Sequence, residues 1–109
     1  MLEGILGSDD AERVLLYITE RGSGYGREMA DFWGRSLYGI QRQLDKFEAG
    51  GVLVGESVGR TRVYTWNPRW PFTEELKTLL SKAVLFLPDK DRERLQENRR
   101  RPRRRSKPL

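Results

Sequence analysis

Between residues 36 and 66 the chain changes its hydrophobic period once, and sharply. Leu37, Ile40, Leu44 and Phe47 recur every three or four residues, which marks one buried helical face, and Gly50-Gly51 stops the pattern. Two strand-like runs follow at once: Val52-Leu53-Val54 with Val58, and Thr61–Trp66, folded about Gly59-Arg60. Few folds of this size deliver a helix straight into a tight hairpin. On the second run Arg62, Tyr64 and Trp66 share one side by the two-residue strand period. Tyr64 and Trp66 are expected to face inward, with Trp33 also in the core, and Arg62 to lie nearer the exposed tip.

Helical signals fill the rest. Ser8 and Asp9 are good helix-capping types, and Asp9 with Glu12 has capping-box spacing. Ala11, Val14, Leu15 and Ile18 then mark one face of a helix over about 9–20, followed by Arg21–Gly24 as a loop. Gly22, Gly24 and Gly26 follow a helix rather than a strand and lack a Lys-Ser/Thr ending, so they are not read as a phosphate loop. Residues 25–33 carry Met29, Phe32 and Trp33 in a short helix closed by Gly34, and Ser36 can cap the next. Beyond Pro68 and Pro71, Thr73-Glu74-Glu75 opens a helix with acids at its positive end, and Pro88 ends it. Its apolar stripe, Leu76, Leu79, Leu80, Ala83, Phe86 and Leu87, widened by Val84 and Leu85, exceeds what so small a domain readily covers. Those six residues are the expected partner surface.

Composition narrows the function. The 109 residues suit one domain. Without Cys the chain can form neither disulfides nor thiolate metal sites, and without His it lacks the commonest general base and transition-metal ligand. The remaining carboxylates and hydroxyls show no catalytic spacing, so no enzyme activity, metal or cofactor is expected. No run is apolar enough for a signal peptide or membrane span, and a cytoplasmic location is expected. Seven of the 21 basic residues fall within 99–109 with no acid among them, so removing them from the net charge of +5 leaves residues 1–98 at −2. The expected organisation is a domain over 1–72, a helical extension over 73–98, and a basic, disordered tail over 99–109. Such a tail attracts any polyanion without sequence preference.

The order helix, helix, turn, helix, hairpin, helix resembles the winged helix-turn-helix domains of bacterial and archaeal transcription regulators, above all the ArsR and MarR type. The resemblance runs over residues 6–67. Leu6-Gly7-Ser8 before Arg13-Val14-Leu15 looks like the start of such domains, and Met29-Ala30 stands where they have Leu-Ala. Trp33-Gly34 and Ser36 stand for Leu-Gly and Ser, and Ile40-Gln41-Arg42-Gln43-Leu44 for a Val-Ser-Arg-His-Leu-like run. Phe47-Glu48 and Gly51-Val52-Leu53 match the entry to the wing. The chain departs from the pattern at Arg35, Leu37 and Gly39, and metal sensing through Cys and His does not carry over. The implied fold is α+β, mainly α: a three-helix core, a two-stranded β-wing and an additional C-terminal helix.

That resemblance implies a regulator that binds double-stranded DNA as a homodimer, with Leu76, Leu79, Leu80, Ala83, Phe86 and Leu87 as the dimer interface, reading the major groove through residues 36–49 with wing contacts from the 52–66 hairpin. With Ile40, Leu44 and Phe47 inward, the expected DNA-binding set is Arg35, Ser36, Tyr38, Gln41, Arg42, Lys46, Arg60 and Arg62. Arg42 is placed for guanine or phosphate, Gln41 for adenine, and Arg60 with Arg62 for the minor groove or backbone. Gly39 permits close approach to a DNA backbone, and Asp45 opposes phosphate. The competing expectation is a protein-interaction or RNA-binding adaptor of the same fold, favoured by the acidic 1–98 and the apolar 76–87 stripe.

Overall fold

A computed structural model describes the backbone of residues 1–106 and side chains up to Glu97. The elements run α1 (Glu3–Leu6), α2 (Asp9–Arg21), β1 (Ser23–Gly24), α3 (Gly26–Trp33), α4 (Leu37–Ala49), β2 (Leu53–Val58), β3 (Thr61–Trp66), α5 (Thr73–Val84) and α6 (Asp89–Ser106). This is a winged-helix fold. The wing differs from expectation by one strand: the sheet is antiparallel with order β1-β3-β2. β1 pairs Ser23 with Thr65 and Gly24 with Tyr64, inside the segment read as a loop. Two residues carry no periodic signal. Gly24 is fitted to the spot, because a Cβ there would sit 2.8 Å from Met29 Cε and 2.9 Å from Tyr17 Cε1.

Local chemistry sets most boundaries. Ser8 caps α2 by accepting from the Ala11 amide at 3.1 Å. The expected Asp9–Glu12 box does not form; Glu12 is buried and instead accepts from the Leu2 amide at 2.7 Å, which seats α1 on α2. Gly34 ends α3 in the left-handed region (φ 67°), where a side chain would be strained. Gly59 turns the β2–β3 hairpin at φ 65°, with Gly55 facing Tyr64 across the ladder.

α2 is the centre of the core. The sequence showed one apolar face, but Val14, Leu15, Leu16, Tyr17 and Ile18 are all buried in succession. A helix buried all round needs neighbours on every side, and α3, α4, α5 and α6 supply them. α6 docks through buried Leu95, whose carbonyl accepts from Arg21 Nε at 3.2 Å. Phe32 meets two guanidiniums, Arg94 at 4.0 Å and Arg21 at 5.0 Å from its ring centroid, and the Arg94 contact fastens α6 to α3. Trp33 and Trp66 are only partly buried, packed at the edge of this core.

The C-terminal half departs further from expectation. α5 stops at Val84, and Leu85, Phe86 and Leu87 form a tighter turn with amides bonded three residues back. Leu80, Ala83 and Leu87, half of the expected dimer interface, are buried in the chain's own core, while Leu76 is partly buried and packed against it. Leu79 and Phe86 remain exposed. The backbone of α6 continues to Ser106, through Pro102, into the segment expected to be a disordered tail. Side chains from Asn98 onward and residues 107–109 lie outside the described residues.

Candidate nucleic-acid interface

The turn between α3 and α4 holds the helix-turn-helix geometry. Ser36 caps α4, its Oγ accepting from the Gly39 amide at 3.0 Å. Gly26 packs against α4: a Cβ there would sit 2.5 Å from Gln41 Oε1 and 3.4 Å from Leu37 Cδ1. The first turn of α3 therefore lies beside the first turns of α4. Gly39, read as room for a DNA backbone, faces inward instead; its Cβ would meet Asp10 Oδ2 at 2.5 Å. A side chain there would displace the Asp10 carboxylate from its place between α2 and α4.

The eight residues expected to meet DNA separate into two groups. Arg35 is turned inward: it bonds Asp10 Oδ1 at 3.0 Å and pairs with Asp9. Burial opposes the charge on both Asp9 and Arg35, but their mutual hydrogen bond and attraction win, holding Asp9 below and Arg35 above the ordinary range. Gln41 donates to Tyr64 Oη and to Asp45 Oδ1, each at 3.0 Å. Lys46 donates to the Leu6 carbonyl at 3.0 Å, at the negative end of α1. Arg62 pairs with Glu48 and binds its Oε1 through Nε at 3.3 Å, so the wing is strapped to α4. The hydrogen bond to Glu48 raises the Arg62 pKa.

Ser36, Tyr38, Arg42 and Arg60 form the other group. Tyr38 is 73% exposed on α4, and the Arg42 guanidinium lies 5.8 Å from its ring centroid. Residues four apart on a helix stand one above the other, so the pair forms a short outward ridge. Among the described residues Arg42 has no carboxylate partner, and Arg60, exposed at the hairpin turn, has none either. Arg27 was missed by the sequence reading. It is exposed in the first turn of α3, next to Gly26, and also has no charge partner among the described residues. The only sequence signal for it was an Arg in the first turn of the helix that precedes α4.

Asp45, which seemed to oppose DNA, gives one carboxylate oxygen to Gln41, and Glu48 is neutralised by Arg62. The outward cations Arg42, Arg60 and Arg27 are thus left without local acids paired to them. Elsewhere, Glu3, Asp9 and Glu12 bring one carboxylate oxygen each within 4.8 Å of one another. Glu12 is committed to Leu2 and the Met1 ammonium, and Asp9 to Arg35 and Arg13, so this group is an internal charge network.

No family model matches the chain, and no curated protein is similar to it in sequence. Among solved structures the chain is similar to ZitR of Lactococcus lactis, in the apo form of a double mutant, with a TM-score of 0.54. The match covers 82% of this chain and 76% of ZitR at 12% identity, which is a likeness of fold.

Proposed function

We propose that the chain is a DNA-binding transcription regulator that reads the major groove through α4. Tyr38 and Arg42 meet base edges, Arg42 through a bidentate contact to guanine and Tyr38 against a thymine methyl or phosphate. The Ser36 hydroxyl, still free to donate, and Arg27 hold the flanking phosphates, and Arg60 carries the wing tip to the backbone or minor groove. Arg35, Gln41, Lys46 and Arg62 act from behind, fixing α4 and the wing in place. The observation that carries this reading is the Tyr38–Arg42 ridge, exposed and unpaired on the outer face of the second helix of a helix-turn-helix. The winged-helix likeness to ZitR supports the fold on which it rests.

Selection of the full chain on a random double-stranded DNA library tests the proposal. Enrichment of a defined half-site supports it. Retention of all sequences alike, with an affinity that collapses in salt, would leave only polyanion attraction.

A second reading is a protein-interaction module of the same fold. It is favoured by Phe72, Leu85 and Phe86, large apolar side chains left exposed around α5. That reading expects no half-site and no effect of Arg42→Ala on partner binding.

A further inference from the structure

The outward ridge of α4 does not end at Arg42. Tyr38, Arg42 and Asp45 stand at i, i+4 and i+7 and all three are exposed, so Asp45 is the next side chain along the same line. Its carboxylate is held in place, because Gln41 Nε2 donates to Asp45 Oδ1 as well as to Tyr64 Oη, each at 3.0 Å. Both amide hydrogens of Gln41 are thereby occupied, and its Oε1 lies beside Gly26, so Gln41 has no donor left for DNA. Among the described residues Asp45 Oδ2 has no partner and no cation pairs with Asp45. A fixed acceptor with one oxygen free thus follows Arg42 by nearly one helical turn.

We propose that Asp45 is a specificity-determining residue, accepting from the N4 amino group of a cytosine in the major groove beside the guanine read by Arg42. The inference rests on the DNA-binding reading of α4. A carboxylate can only accept, and among the major-groove base edges only cytosine offers a donor with no acceptor beside it. Guanine presents N7 and O6, thymine presents O4, and adenine sets N7 next to its amino group, so each turns a lone pair toward the charge. Phosphate offers no donor at all. Asp45 therefore rejects three bases as much as it selects one. Three residues of helix advance about 4.5 Å, against about 3.4 Å between stacked bases, which puts the cytosine on an adjoining base pair.

The test measures binding of the full chain, Asp45→Ala and Asp45→Asn to the selected half-site and to every single-base variant of it, at one salt concentration. The unaltered chain should weaken by about tenfold when the cytosine is changed. Asp45→Ala should accept all four bases at that position alike and keep the guanine preference of Arg42. Asp45→Asn, whose amide both donates and accepts, should move the preference at that position to adenine, a change that a merely structural role would not produce. Circular dichroism on each protein checks that the fold is intact. An Asp45→Ala protein that binds every sequence more tightly with the same preferences overturns the proposal, because the carboxylate then only repels phosphate. So does an Asp45→Asn protein that still prefers cytosine. If the unaltered chain selects no half-site, the reading of α4 falls and this proposal with it. A selected site that keeps its guanine and is indifferent to Asp45 overturns this proposal alone.

Discussion

Gln41 on α4 donates its amide to the hydroxyl of Tyr64 on β3, 3.0 Å away, at the point where α4 and the wing meet. Tyr64 is buried, so its hydroxyl has little water to turn to, and the bond is a second polar link between these elements beside the Arg62–Glu48 pair. Tyr64→Phe keeps the ring in the core and deletes the acceptor. It should cost about 1 kcal/mol in urea unfolding. Sequence preference on DNA should be unchanged, because the link positions the helix and touches no base. A shifted preference would mean that Gln41 itself reads DNA.

The Arg35–Asp9 pair predicts a defined pH dependence. Asp9 is held below its ordinary pKa by Arg35 and Arg13 against the opposing effect of burial. A depressed carboxylate stabilises the fold fully above its unfolded pKa of about 3.9 and loses that contribution as pH falls through its lower folded value. Unfolding midpoints of the unaltered chain and Asp9→Asn should therefore differ by a constant amount from pH 7 to 5 and converge below pH 4. Equal midpoints at pH 7 would show that the pair contributes nothing.

Gly39→Ala should fail to deliver the usual benefit of replacing a helical glycine, about 1 kcal/mol. The new Cβ would lie 2.5 Å from Asp10 Oδ2 and push that carboxylate off Arg35. In an Asp10→Ala background the nearest obstacle is gone, only the 3.1 Å approach to Ser36 Oγ remains, and part of the stabilisation should appear. Thermal unfolding of the four proteins in this cycle measures the coupling. A full gain from Gly39→Ala alone would contradict the close approach of α2 and α4.

Leu80 and Leu79 are neighbours in sequence, yet Leu80 is buried and Leu79 is exposed. Leu80→Ala empties a fully buried site and should cost about 2–5 kcal/mol of stability at any protein concentration. Leu79→Ala, at an exposed site, should cost much less. Urea unfolding of the two variants measures the difference, and equal losses would contradict the packing of Leu80 in the core.

The sequence displayed α2, α3, α4 and the hairpin because each has its own period, cap or turn: Ser8 and Ser36 at N-caps, Gly34 and Gly59 where φ is positive. α1 and β1 were illegible, being four and two residues long and held by Glu12 and by Tyr64 from elsewhere in the chain. On α5 the apolar residues were visible, but not which side would be covered. Leu80 and Leu79 look alike in sequence, and only the packing on α2 divides them. The interface shows the same division. A helical wheel places Arg35 and Lys46 outward with Gln41 flanking Arg42, yet their polar ends turn back to Asp9 and Asp10, Leu6 and Tyr64, partners 23 to 40 residues away. Spacing along one helix carries no information about such partners. Arg42, whose nearest ring is Tyr38 on the same helix, could be read from local sequence.

The most direct test compares the unaltered chain and Arg42→Ala on the selected half-site and on every single-base variant of it, at one fixed salt concentration. The account predicts that Arg42→Ala loses about 1–3 kcal/mol on the selected site and no longer discriminates at one guanine position, while the other positions keep their preferences. An Arg42→Ala protein that binds every variant as the unaltered chain does would contradict the claim that α4 reads DNA through this ridge.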